Sequence, residues 1–375
     1  MLLLASGIAG AAPTPEQRDQ AKRLYDRIAG VPATATQIDD LALDIANGNV
    51  SAAADKATQA PSFYNVVLKN FVTPWTNRDQ TVFAPLNDYT ATVIGMVRDD
   101  KPFNTVLSAD ILYTLKTSGL PAPSAANNDH YATAETNGVN LYADLTPTAQ
   151  SAVYGIPPAG IAGVLTTRAA SAAFFIAGTN RAMFRFTMIN HMCRDMEQLH
   201  DTSRPPDRIR QDVSRSPGGD SRLFLNNCIG CHSGMDPMAQ AFAYYNYDDT
   251  QGKLIYTPGV VNGKYAINTD NFKPGFVTPN DNWENRWRHG QNSIYNFSAS
   301  LPGNGAGAKS LGEEIANSQQ FAQCQVEKVF KAVCFRAPGD ATDRGKVLQI
   351  RGDFVAGGYK LRQVFAETAD YCKGD

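Results

Sequence analysis

Asn227-Cys228-Ile229-Gly230-Cys231-His232 gathers two thiols and an imidazole into one short segment, and this cluster constrains the chain more than any other feature of its sequence. The Cys-x-x-Cys-His spacing is the pattern that attaches c-type haem. Two thiols three residues apart can add across the two vinyl groups on one edge of a porphyrin, and the imidazole of the next residue then lies under the iron. A single segment thereby fixes both the ring and its axial ligand. Two other readings compete for the same residues. Structural zinc needs four ligands, usually from two ligand pairs, and no second Cys or His pair has the spacing to complete a site. A thioredoxin-type dithiol sits at the strand-to-helix turn of a βαβ unit, whereas Cys228 follows an Arg- and Gly-rich loop. The cofactor expected is therefore haem c, one per chain, held by Cys228, Cys231 and His232, with His232 as an iron ligand.

Helix signals dominate the rest of the chain. Thr14-Pro15-Glu16-Gln17 combines an N-cap hydroxyl, a proline at the first helical position and a capping-box Gln, and Ala21, Leu24, Tyr25 and Ile28 follow at helical spacing before Gly30. Thr34 to Gln37 opens a second such helix through Leu41, Ala42 and Ile45. Ala182 to Leu199 is expected as one long helix. Asp236-Pro237 is expected to cap a helix carrying Met238, Phe242 and Tyr245 on one face. Pieces such as Lys253-Leu-Ile-Tyr256 suggest a small hairpin, Leu301 to Gly307 suggests a flexible linker, and Ser310 to Glu313 suggests another capping box. Three helices are expected over 319–334, 341–356 and 360–372.

At 375 residues the chain exceeds what one core usually organises. The expected architecture is mainly α: an N-terminal helical bundle (13–120), loops (121–162), a cytochrome c-like haem domain with a small irregular or β insertion (163–300), and a C-terminal helical domain (301–375). A formal charge of −2 gives no electrostatic footprint for nucleic acid or a polybasic membrane patch. No apolar run approaches the roughly 18 residues that span a bilayer. Met1 to Ala12, apolar and ending in small residues, resembles the end of a secretory signal peptide without its basic start, and points to the periplasm or the extracellular space.

Export would oxidise the four cysteines outside the motif, Cys193, Cys324, Cys334 and Cys372. Cys324 and Cys334 on one helix would lie roughly 15 Å apart, more than twice the reach of a disulfide. With the last three helices running up, down and up, Cys334 meets Cys372, which leaves Cys193 for Cys324. Guanidinium groups suit haem propionates, so Arg204, Arg208, Arg210, Arg215 and Arg222 are candidate cofactor-binding residues, set against their being a solvated surface paired to its own aspartates. For the iron's second face, no Met follows Met238. His289, between two arginines and glycine with tryptophans nearby, is the first candidate; His191 and His200, then Met183, Met188, Met192 or Met196, and an open position are the others.

After the haem histidine, Met235-Asp236-Pro237 and Ala241-Phe242 resemble the haem segment of planctomycete-type single-haem cytochrome c proteins, with their "MDP" step. Gly163-Val-Leu-Thr166 and Gly178-Thr-Asn-Arg181 resemble its lead-in, and Phe321-x-x-Cys324, Val329-Phe330, Phe354 and Gly358-Tyr359-x-Leu361 resemble the helical domain that ends those proteins. The resemblance covers roughly Gly163 to the C-terminus, and departs at Ala239-Gln240, where the family has Gly-Phe. It implies single-electron transfer outside the cytoplasm, to or from a redox protein. Two readings stand beside that one: a peroxidase- or oxygenase-like haem enzyme with an open distal position, and a haem domain serving a module that binds a protein or surface.

Overall fold

A computed structural model of the chain describes residues 12–176, 178–266 and 270–374. The first eleven residues, which carry most of the export-signal reading, lie outside it. Helix makes up 57% of the structure and the only sheets among the described residues are small and antiparallel, so the mainly α class expected from the sequence is the one the chain adopts. Contacts divide the chain into two compact units, residues 1–68 with 326–375, and residues 69–325.

In the smaller unit, both N-terminal capping boxes form: Thr14 accepts from the Gln17 amide while the Gln17 side chain takes the Thr14 amide, and Thr34 and Gln37 do the same. The helices they open, Pro15–Ala29 and Ala35–Ala46, bury Leu24, Ile28, Leu41 and Ala42. Helices Ala341–Ala356 and Leu361–Cys372 bury Val347, Ile350, Phe354, Val364 and Phe365 in the same unit. Phe63 meets Phe365 edge-on at 5.0 Å between centroids, so segments from opposite ends of the chain share one core. Helical periodicity marks a buried face but not what covers it, which is why 13–120 and 301–375 look separate in sequence.

The larger unit carries the Cys-x-x-Cys-His segment. Its helix Asp88–Arg98 is buried on nearly every side. The neighbouring strand Leu112–Leu115 pairs with Leu145–Thr148, which draws part of 121–162 into the fold. The hairpin expected near Lys253–Tyr256 is present, paired with Tyr245–Asp248.

Four local expectations are corrected. Helix Arg181–Met192 stops short of Leu199 because Cys193 turns left-handed (φ 52°, ψ 39°), and a 3-10 turn, Met196–Leu199, follows. Asp236 does not begin a helix; it lies inside Ile229–Ala239, with Pro237 in its last turn, Phe242 in a 3-10 turn and Tyr245 at the start of a strand. Leu301 to Gly307 is not a bare linker, since Asn304–Ala306 pairs with Asn282–Glu284. Ser310 is no cap either: it sits within helix Gly307–Ala316, its hydroxyl donating to the Ala306 carbonyl at 2.8 Å and accepting from Trp283 Nε1 at 2.8 Å. Each departure comes from a tertiary partner that local pattern does not display.

Helix Gln319–Cys334 holds Cys324 and Cys334 in one rod, as expected. Cys193 and Cys324 stand at disulfide distance with Cα atoms 5.3 Å apart, inside the larger unit, and Cys334 and Cys372 at 5.6 Å, inside the smaller. Non-reducing peptide mapping should recover these two pairs and no Cys324–Cys334 peptide. Replacing Cys334 and Cys372 together by Ser should cost about 4 kcal/mol, the loop-closure value for a bridge of this span, measured by denaturant unfolding; an unchanged stability would show that the bond is not formed.

Candidate haem centre

The motif is presented on a helix that begins with a wide turn. Phe224–Cys228 is π-helical and runs into the α-helix Ile229–Ala239. Cys228 and Ile229 pack against Ile209, Val213 and Phe224. Both motif thiols are half-buried and outside the two disulfide pairs. Cys231 Sγ lies 3.4 Å from the Met196 carbonyl. Burial, and then the charges of Glu197, Cys228 and Asp195, push the Cys231 thiol above its ordinary range.

Glycines at 230 and 234 open one face of this helix. A methyl group at Gly230 would sit 2.3 Å from His200 Nε2, and one at Gly234 would sit 2.0 Å from Trp287 Nε1, so both rings lie flush on the helix backbone. The Asp201 amide donates to the Gly230 carbonyl at 3.0 Å and Ser233 Oγ to the Asp201 carbonyl at 3.1 Å, fastening the segment around His200 to the helix.

His232 is on the other face, its side chain 19% exposed, with Nδ1 3.1 Å from Oδ1 of Asp236 one turn later. Asp236 is fully enclosed. Arg181 Nε donates to its Oδ1 at 2.8 Å and Arg181 Nη2 to its Oδ2 at 3.0 Å, while the Arg210 amide approaches Oδ2 at 3.3 Å. Arg181 also grips Asp212, with Nη2 to Oδ1 at 2.9 Å. Burial alone would raise the Asp236 carboxyl; Arg181, His232 and Arg210 outweigh it and hold the group well below the usual carboxylate range. An ionised carboxylate only accepts hydrogen bonds, so His232 donates from Nδ1 and the Nε2 lone pair is the one left for a metal.

Arg181 owes its position to the residues before it. Asn180 turns left-handed (φ 60°) and donates to the carbonyls of Phe242 and Tyr245 at 2.8 and 3.0 Å, and Thr179 receives the guanidinium of Arg210 through its carbonyl at 3.2 Å and its hydroxyl. Thus three consecutive residues tie this segment to its surroundings: Thr179 to Arg210, Asn180 to the turn and strand after the motif helix, and Arg181 to Asp236 within it.

The five candidate arginines separate. Arg222, largely exposed, pairs with Asp220 at 2.8 Å, as a solvated surface would, whereas Arg204, partly buried, pairs with the buried Asp201 at 3.4 Å. Arg208 donates to the Asn282 carbonyl at 2.8 Å and covers Phe276. Arg210 is buried over the Tyr265 ring, 4.7 Å from its centroid. Arg215 lies over Phe224, beside Cys228, at 4.9 Å. His289 is exposed and lines a polar cleft of about 550 Å³ with Arg204, Asp207, Glu284, Arg286 and Arg288; no residue of the Cys-x-x-Cys-His segment lines it. His191 is buried, its Nε2 2.8 Å from the Tyr89 hydroxyl. Met183, Met188 and Met192 are buried as well, whereas Met196 and His200 lie against the motif helix.

Sequence reasoning missed Asp212 altogether, gave Arg181 no role beyond a resemblance, and assigned Asp236 to a cap. The i, i+4 relation of His232 and Asp236 was the available signal, hidden by the assumption that Pro237 starts a helix. No family model, curated protein or solved structure matches the chain. Among the described residues no group of three or more His, Cys, Asp or Glu is arranged to hold a bare metal ion, which the zinc reading would require.

Gly234→Ala tests the packing. With its methyl 2.0 Å from Trp287 Nε1, the variant should lose about 1–3 kcal/mol in denaturant unfolding; wild-type stability would mean that Trp287 is not seated there.

Proposed function

We propose that this protein is an exported c-type cytochrome carrying one covalent haem on Cys228, Cys231 and His232, and that it passes single electrons to or from a redox protein. The observation that carries the reading is the partition of the cysteines. Four of the six stand in two pairs at disulfide distance, and the two left over are those of the Cys-x-x-Cys-His segment, on a helix that also orients His232. The donor set fits the group. It offers two thiols free for thioether bonds, an imidazole with Nδ1 engaged and Nε2 available, and exposed Leu223 and Leu225 on the turn before the thiols as apolar surface. Two disulfide pairs are also compatible with export.

Bound there, haem would supply a one-electron centre cycling between ferric and ferrous iron. The chain's own part is to hold and shield it. Cys228 and Cys231 anchor one edge of the ring, and Asp236 keeps the His232 imidazole in one tautomer and one orientation. Trp287 and His200 close the back of the helix against water. Arg215, over the Phe224 ring that packs against Cys228, is the candidate for a propionate among the five arginines.

Acid-acetone treatment of the purified protein should leave its colour on the polypeptide, and Cys228→Ser with Cys231→Ser should release it. Colour that extracts from the unmutated protein would refute covalent attachment. A low-spin spectrum is expected for an electron carrier. If His289 closes the iron, His289→Ala turns that spectrum high-spin; an unchanged spectrum removes His289 as the ligand.

A further inference from the structure

We propose that Asp236 is a positioning residue that sets the reduction potential, favouring ferric over ferrous iron through its hydrogen bond from His232 Nδ1. The inference rests on the haem reading above and concerns what the surrounding chain would do to the iron. An imidazole that donates to a carboxylate gains electron density and becomes a stronger ligand, which stabilises the more highly charged metal state.

What makes Asp236 suited to this is the way its charge is managed. Arg181, Arg210, Asp212 and Asp236 form a cluster of two cations and two anions, with Arg210 and Asp236 buried and the other two partly exposed, so its net charge is zero. A neutral cluster exerts little long-range field on a nearby iron. Its influence must run through the one contact it makes with His232, the 3.1 Å approach of Nδ1 to Oδ1. That oxygen is shared with Arg181 Nε at 2.8 Å, and the sharing limits how much charge reaches the imidazole. The second oxygen is taken by Arg181 Nη2 and the Arg210 amide at 3.0 and 3.3 Å, so the carboxylate is held on three sides and cannot turn away from the ring. Rigid acceptors on a metal-bound histidine fix both tautomer and ring angle.

Asp212 supplies the control. It carries the same charge, sits in the same cluster and bonds the far side of Arg181, with no bond to His232. Asp236→Asn and Asp212→Asn therefore change the cluster charge equally, and only the first alters the acceptor of the histidine bond. In the haem-loaded protein, Asp236→Asn should raise the midpoint potential so that the ferric-to-ferrous ratio at a fixed potential falls about tenfold, which for one electron is about 59 mV. Asp212→Asn should move it by less than a third of that. Equal shifts would show that the field of the cluster sets the potential, and an unmoved potential in Asp236→Asn would show that neither does; either result overturns the proposal.

Asp236→Asn leaves buried arginines partly uncompensated and can fail to accumulate. A measurement on the unmutated holoprotein then decides. Proton NMR of the reduced state should show the His232 ring N–H protected from solvent exchange by its bond to an enclosed carboxylate, and exchange as fast as that of a free imidazole overturns the assignment. Colour lost in acid-acetone would sink the haem reading and this inference with it. Covalent haem with an unmoved potential would sink this inference alone.

Discussion

The ion pair between Arg181 and Asp236 is the contact on which the arrangement of the larger unit turns. Two charged groups are withdrawn from water beneath the motif helix, and such a pair is tolerated only when nearly every lone pair and N–H of the charged groups is engaged. Here Arg181, Arg210 and His232 divide the oxygens of Asp236 among them, and Asp212 takes the rest of Arg181. Removing one partner would leave a charge stranded in the interior, at a cost on the order of 3–5 kcal/mol. The consequence is positional. Helix Arg181–Met192, the loop around Arg210 and helix Ile229–Ala239 meet at one carboxylate, so the presentation of His232 depends on all three.

The disulfide pairs act on the same problem from a different direction. A chain with six thiols can oxidise in many ways, and any pairing that consumed Cys228 or Cys231 would destroy the motif. Helix Gln319–Cys334 keeps Cys324 from Cys334, while the turn at Cys193 and the end of Leu361–Cys372 bring each its own partner. The geometry of the fold thus reserves the two motif thiols.

How much of this was legible in the sequence follows from the range of each signal. Capping boxes at Thr14 and Thr34, the three C-terminal helices, the hairpin and both cysteine pairings rest on spacing within an element or on simple helix geometry, and all of them appear in the structure. The end of the helix at Met192, the strand at Asn304–Ala306 and the interior place of Asp236 depend on partners more than twenty residues away. Arg210 illustrates the difficulty. In sequence it is one of five arginines in a charged loop, with nothing local to show that it alone is enclosed over Tyr265. Arg181 was visible only as the last residue of a resemblance, without a role.

The motif helix itself shows why its spacing works only in this surrounding. Each residue advances about 100° around the axis, so Gly230 and Gly234 share one face while Cys228, His232 and Asp236 share another, roughly opposite. The glycine face is sealed by His200 and Trp287, whose rings need the room that a side chain would take. That close contact lets the helix be anchored from behind, leaving the opposite face to Cys228 and the imidazole, with Cys231 at the flank. Asp236 then sits one turn beyond His232 on that same face, where the helix passes under Arg181 and Arg210. A carboxylate one residue later would point about 140° away from the imidazole and miss it. The helical repeat therefore couples three requirements that local sequence displays separately: small residues behind, ligands in front, and a buried acceptor one turn below the histidine.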